Sequence, residues 1–122
     1  MAEPGLRVLL DESELTEAYE VGAAELGVDF ATELVCAIQR GIKPTGGYSL
    51  SVKAVTRDQN VIFIHVAVRD PGPYDLVTMT MTAPMAVIAM PRREAYGSRG
   101  SVCFAVVGRS GEVLFSRRVP LV

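Results

Sequence analysis

The heptapeptide Glu33-Leu34-Val35-Cys36-Ala37-Ile38-Gln39 is apolar on both of its faces, with Leu34, Cys36 and Ile38 on one side of an extended chain and Val35 and Ala37 on the other. Such a strand is stable only when both sides are covered, so it predicts the middle of a sheet with packing above and below. A chain of 122 residues can build one such core and is too short for two, so residues 1–122 read as a single domain.

Upstream, Asp11 to Leu26 has helical period. Asp11 followed by Glu14 has the form of a capping box, Leu10 is spaced to staple onto Leu15, and Gly27 is placed for a left-handed stop. Leu15, Ala18, Tyr19, Gly22, Ala23 and Leu26 share one stripe, opposite Glu12, Glu14, Glu17 and Glu20. The helix is expected to lie on a sheet.

Downstream, the period switches to two. Tyr48 to Thr56 alternates, with Tyr48, Leu50, Val52 and Ala54 expected inward, and Asp58-Gln59-Asn60 turns the chain into Val61 to Val68 as a hairpin. Phe63 and Val61, opposite the inward Ile62, Ile64, Val66 and Val68, suggest that this strand has a second buried face. Asp70-Pro71-Gly72-Pro73 must be a loop, because its prolines cannot donate to a ladder. Leu76 to Thr82 reads as a strand with Val77, Met79 and Met81 against Thr78, Thr80 and Thr82. Met85 to Met90 follows Pro84, Arg92 to Gly100 reads as a polar link, and Ser101 to Val119 closes as a hairpin. The expected fold is β-rich α+β, one N-terminal helix packed on an antiparallel β sandwich or partly open barrel of about six or seven strands.

Twelve basic and fourteen acidic residues leave a net charge of -2, so no basic footprint for nucleic acid or an anionic membrane is present. No apolar run reaches membrane-spanning length, and Met1 to Arg7 lacks an export pattern, so a cytoplasmic location is expected. A hydrophobic content of 49% is high for a solitary domain, which suggests a protein partner or a homodimer.

Gly41 and Gly46 have a superficial phosphate-loop spacing, but Gly47 and Tyr48 stand where Lys and Ser/Thr are required, and the segment joins strand to strand. Pro44, Gly46 and Gly47 instead supply turn geometry. His65 has no accompanying nucleophile motif and reads as a strand histidine. Asp29 and Asp70 read as turn residues that accept local amides. Cys36 and Cys103 lie in apolar runs away from any Cys/His cluster and read as buried free thiols. No cofactor or metal is called for.

The order helix, Val28-Asp29-Phe30, apolar strand, Gly41-Ile42-Lys43-Pro44-Thr45-Gly46-Gly47-Tyr48-Ser49, alternating strand pair, Pro71-Gly72-Pro73, Thr82-Ala83-Pro84 and Pro91 resembles the PrcB C-terminal-domain family over about residues 28–91, with the hairpin of about residues 101–119 outside it. The resemblance implies a non-enzymatic module that associates with a protease complex, with no catalytic residues to carry over. The candidate partner-binding residues are Lys43, Thr45, Tyr48, Tyr74, Met79 and Met81. A small-molecule-binding β domain, with an apolar pocket near Phe63 and the methionines, is the alternative, and an enzyme ranks behind both.

Overall fold

The structure is a computed structural model that describes residues 4–19, 22–92 and 101–120. Its elements in chain order are β1 (Gly5–Leu9), α1 (Glu12–Tyr19), α2 (Ala23–Leu26), β2 (Glu33–Gln39), β3 (Ser49–Asp58), β4 (Val61–Arg69), β5 (Met85–Pro91), β6 (Ser101–Val107) and β7 (Val113–Pro120). They form two sheets, β1-β2-β5 and β3-β4-β6-β7, neither closed into a barrel. The fold is the expected β-rich α+β sandwich.

β2 is the centre of its sheet, bonded to β1 on one side and β5 on the other. Its Leu34, Cys36 and Ile38 join Leu6, Val8 and Met90 against Ile62, Ile64, Val66, Val102, Phe104, Val106 and Val119 of the second sheet. On its other face Val35 packs with Leu9 and Leu15 beneath the N-terminal helix. Both coverings that its sequence demands are therefore supplied, one by a sheet and one by a helix.

That helix is shorter than its periodicity suggests, since α1 ends at Tyr19 and α2 is a single turn. Gly22, which costs about 1 kcal/mol inside a helix, falls in the break. Glu20 lies outside the described residues. The Glu14 amide donates to Asp11 Oδ1 (2.8 Å), while the Glu14 carboxylate accepts from Leu10 N (3.2 Å), one residue ahead of the expected capping-box donor. Leu10 does not staple onto Leu15. It packs against the inter-sheet core, and Leu15 meets Leu9 instead, because β1 alternates and sends these neighbours to opposite faces. Gly27 is left-handed as expected, with φ +70°.

The β3-β4 hairpin turns at Gln59-Asn60, with Asp58 paired to Val61. A bulge at Lys53 reverses the facing of β3 beyond Val52, so that Ala54, expected inward, pairs with His65 on the outer face and Val55 takes the inner position opposite Ile64. The second face of β4 is not sealed, and Val61, Phe63 and His65 on it are half-buried. The helix that could have covered it packs on the other sheet.

Two expectations fail downstream of β4. Leu76 to Thr82 is not a strand; it crosses between the sheets as an extended loop whose only β contact among the described residues is a bridge from Thr82 to Lys43. And β6 runs parallel to β4, although the remaining pairs are antiparallel. The chain leaves β4 at its far end, returns through β5 of the other sheet, and so re-enters beside the start of β4 travelling in the same direction. The expected Arg92 to Gly100 link falls, from residue 93 on, outside the described residues.

Candidate functional site

The end of the sandwich where β2 stops and β3 begins is organised by Arg40. Its Nη1 donates to the carbonyls of Ser49 (3.2 Å) and Arg69 (3.0 Å), and its Nη2 pairs with Asp70 Oδ1 at 2.6 Å. One guanidinium thus ties the residue just after the first sheet's central strand to the edge pair of the second. Its Cζ also lies 5.7 Å from the Tyr48 ring centroid, and Lys43 Nζ lies 5.6 Å from the same centroid, both within cation-π range. Tyr48 is half-buried and has two cations near its ring.

The Gly41 to Ser49 segment and the loop of residues 70–84 are bonded to each other. Lys43 N donates to Thr82 O (2.7 Å), Thr82 N to Lys43 O (2.9 Å) and Gly46 N to Thr78 O (2.9 Å). The Thr82 hydroxyl donates to Thr45 O (2.8 Å), and Thr45 Oγ1 to Gly46 O (3.0 Å). The two glycines permit this approach. A Cβ on Gly46 would collide with the Thr78 hydroxyl, and one on Gly47 would stand 2.7 Å from Val77 Cγ1 and 2.8 Å from Pro71 Cβ. Gly47 also has φ +88°, a conformation that side chains resist. The segment is a turn, as its sequence indicates, and its glycines serve close packing of a second loop as well as turning.

The six candidate residues divide in two. Lys43, Thr45 and Tyr48 are half-buried and spend their contacts inside the clamp. Tyr74, Met79 and Met81 project from the clamped loop with exposures of 96%, 85% and 72%. Two residues that sequence reading passed over join them, Leu76, which is fully exposed, and Ile42. Leu76 was missed because it sits in what alternation presents as a strand. Arg40 was missed because a lone charge ending an apolar run looks like a solvated terminus, and nothing local announces partners nine and twenty-nine residues away.

Asp29 caps its own turn, accepting from Ala31 N at 3.0 Å. Asp70 does not; it pairs with Arg40, and Asp75 is the residue that accepts the local Gly72 amide, at 2.7 Å. Asp58 and Asp70 sit at opposite ends of β4, about 30 Å apart by strand rise. His65 Nε2 is 2.8 Å from Thr56 Oγ1, and its ring tilts against Phe63. Cys36 is a buried free thiol, and burial pushes it up to about 12; Cys103 is free but only half-buried. Burial also raises the Tyr19 phenol, with the Arg7 guanidinium acting the other way. Among the described residues no group of three His, Cys, Asp or Glu is placed to hold a metal, and no helix is long and apolar enough to cross a membrane.

Residues 34–91 match the family model described as PrcB C-terminal. It is this segment, from β2 through β5, that is similar to the PrcB C-terminal family. No curated protein and no solved structure matches the chain. The PrcB segment runs from β2 to the end of β5 and holds Arg40, both clamped loops and all five projecting apolar residues. β1, β6 and β7 lie outside it, yet β6 supplies Phe104, the largest fully buried side chain. Phe63 is half-buried on the outer face of β4, and Met79 and Met81 are exposed, so none of the three belongs to the inter-sheet core.

Proposed function

We propose that this PrcB C-terminal domain is a non-enzymatic interaction module that docks a protein partner with the loop of residues 74–81. One observation carries the reading: Tyr74, Leu76, Met79 and Met81 stand almost wholly in solvent on a backbone that is held at Gly46-Thr78 and at Lys43-Thr82. Exposing large apolar side chains is unfavourable for a solitary domain, and fixing the segment that carries them lowers the ordering cost of binding. Methionine suits such a surface because it adapts to the shape it meets. The family's association with protease complexes makes a protease subunit the first partner to test.

A photo-crosslinking amino acid at Tyr74 or Leu76, compared with one at Ser51 on β3, tests the proposal in native lysate. A specific adduct is expected from the loop positions and not from Ser51. The combined substitution Tyr74→Ser, Leu76→Ser, Met79→Ser and Met81→Ser should abolish capture of that partner and leave folding intact, since these side chains are mostly in solvent. Equal capture by this variant and the native chain overturns the reading, as does the absence of any loop-specific adduct.

A further inference from the structure

Four methionines lie among the described residues, and their sulfurs stand in different surroundings. Met79 and Met81 are 85% and 72% exposed, on the loop that joins β4 to β5. Met85, at the start of β5, is 43% exposed, and its Sδ accepts from Gln39 Nε2 at 3.5 Å. Met90, near the end of the same strand, is 9% exposed and belongs to the inter-sheet core. The two thiols are set apart from this series. Cys36 is buried, and burial pushes its thiol up to about 12, so it stays a protonated, weakly nucleophilic sulfur. Cys103 is half-buried on β6, and a sulfenic acid or disulfide formed there is reversed by a thiol reductant.

The backbone that carries the exposed pair is held on both sides of it. Gly46 N donates to the Thr78 carbonyl just before Met79, and Lys43 and Thr82 exchange two backbone bonds just after Met81. None of these bonds uses a methionine side chain. The sulfurs of Met79 and Met81 are therefore open to a reagent in solution, and their chemistry can change while the clamp between the two loops stays as it is.

We propose that Met79 and Met81 are a paired oxidation site through which a peroxide turns off docking by the loop, an inference that rests on the reading of residues 74–81 as a docking surface. The thioether lone pair attacks one oxygen of hydrogen peroxide, and the S–O bond forms as the O–O bond breaks. The departing hydroxide takes the proton of the transferred oxygen and leaves as water, so sulfur loses two electrons and the peroxide gains them. The product is a polar, chiral sulfoxide in place of a flexible apolar thioether, and such a change disrupts methionine-rich interfaces. Two of the four apolar side chains that the loop offers, Tyr74, Leu76, Met79 and Met81, become polar in this way. Burial of one large apolar side chain shifts a binding constant by about tenfold, so docking should weaken by about that factor or more. Met85, whose sulfur is engaged by Gln39, and Met90, which is sealed in the core, serve as internal references for the rate.

Treatment of the full chain with hydrogen peroxide, then with a thiol reductant, followed by peptide mapping in a mass spectrometer, gives the order of oxidation. Met79 and Met81 should react first, Met85 more slowly and Met90 last. Retention on a phenyl matrix, used as an apolar probe surface, should fall once both sulfoxides have formed, with the circular dichroism unchanged. The two methionine sulfoxide reductases, one for each epimer, should restore it. Met79→Leu/Met81→Leu should show no peroxide-dependent change in retention, whatever retention it starts from. In native lysate the adduct from a crosslinker at Tyr74 or Leu76 should fall by about tenfold on oxidation. Oxidation of Met85 or Met90 as fast as the loop pair overturns the proposal, as does unchanged retention with both sulfoxides formed or a loss of circular dichroism at that stage. An adduct that survives oxidation undiminished overturns this inference alone, whereas no adduct from the untreated chain overturns the docking reading and this inference with it.

Discussion

Replacing Gly47 with alanine tests the clamp between the two loops most directly. Two costs combine at this position. Holding a non-glycine residue at φ +88° costs roughly 1–2 kcal/mol. The new Cβ would stand 2.7 Å from Val77 Cγ1 and 2.8 Å from Pro71 Cβ, and such overpacking costs typically about 1–3 kcal/mol. The Pro71 ring cannot swing aside, so the steric part is not relieved by a change of rotamer. The expected loss is roughly 2–5 kcal/mol, a large share of the ~5–15 kcal/mol that a domain of this size has. Equilibrium unfolding in urea measures it as a lowered midpoint at unchanged slope. Gly72→Ala, in the same loop pair, is the control. Gly72 has no positive φ, and a Cβ there would meet Asp75 only at an ordinary 3.6 Å, so its effect should stay within about 0.5 kcal/mol. Adding Val77→Ala to Gly47→Ala should recover part of the loss and not all of it, because the backbone strain and the Pro71 contact persist. If Gly47→Ala unfolds together with Gly72→Ala, the close approach of the loops is refuted.

Arg40→Met keeps the aliphatic stem and removes the guanidinium, leaving the Ser49 and Arg69 carbonyls without their donor; a loss of about 2–4 kcal/mol is expected by urea unfolding, against less than about 1 kcal/mol for Asp70→Ala at the exposed end of the same ion pair. Similar losses for the two variants would show that the ion pair, and not the carbonyl ties, is what matters. Cys36, whose thiol burial raises from 9.0 to about 12, keeps its proton in the folded state after the unfolded state has lost it. The contribution is therefore complete below about pH 9 and declines by about 1.4 kcal/mol per pH unit from there toward about pH 12. Unfolding free energies compared between about pH 8.5 and about pH 10.5 should fall faster for the native chain than for Cys36→Ala, and parallel profiles would contradict the burial of this thiol.

Much of this protein follows from local pattern. The two-faced apolar run at Glu33 to Gln39 requires a central strand because neither face tolerates water, and the hairpin at Gln59-Asn60, the Asp11 cap and the left-handed Gly27 are each specified by a few adjacent residues. The glycines and proline between Gly41 and Ser49 likewise mark a turn on their own. What local pattern leaves open is which distant groups meet. Leu76 to Thr82 alternates like a strand, yet among the described residues its backbone bonds to the Lys43 to Gly46 segment and joins no sheet, and so its Met and Leu side chains remain in solvent. Ala54 changes face because one extra residue at Lys53 shifts the register, and Asp70 turns from its own loop to Arg40 because a guanidinium arrives from thirty residues away. β6 lies parallel to β4 because the chain crosses to the other sheet and back. Composition and period determine which segments must be buried and on which side; the order of strands and the Arg40 hub arise only when the sheets assemble, since each depends on the distance between residues remote in sequence.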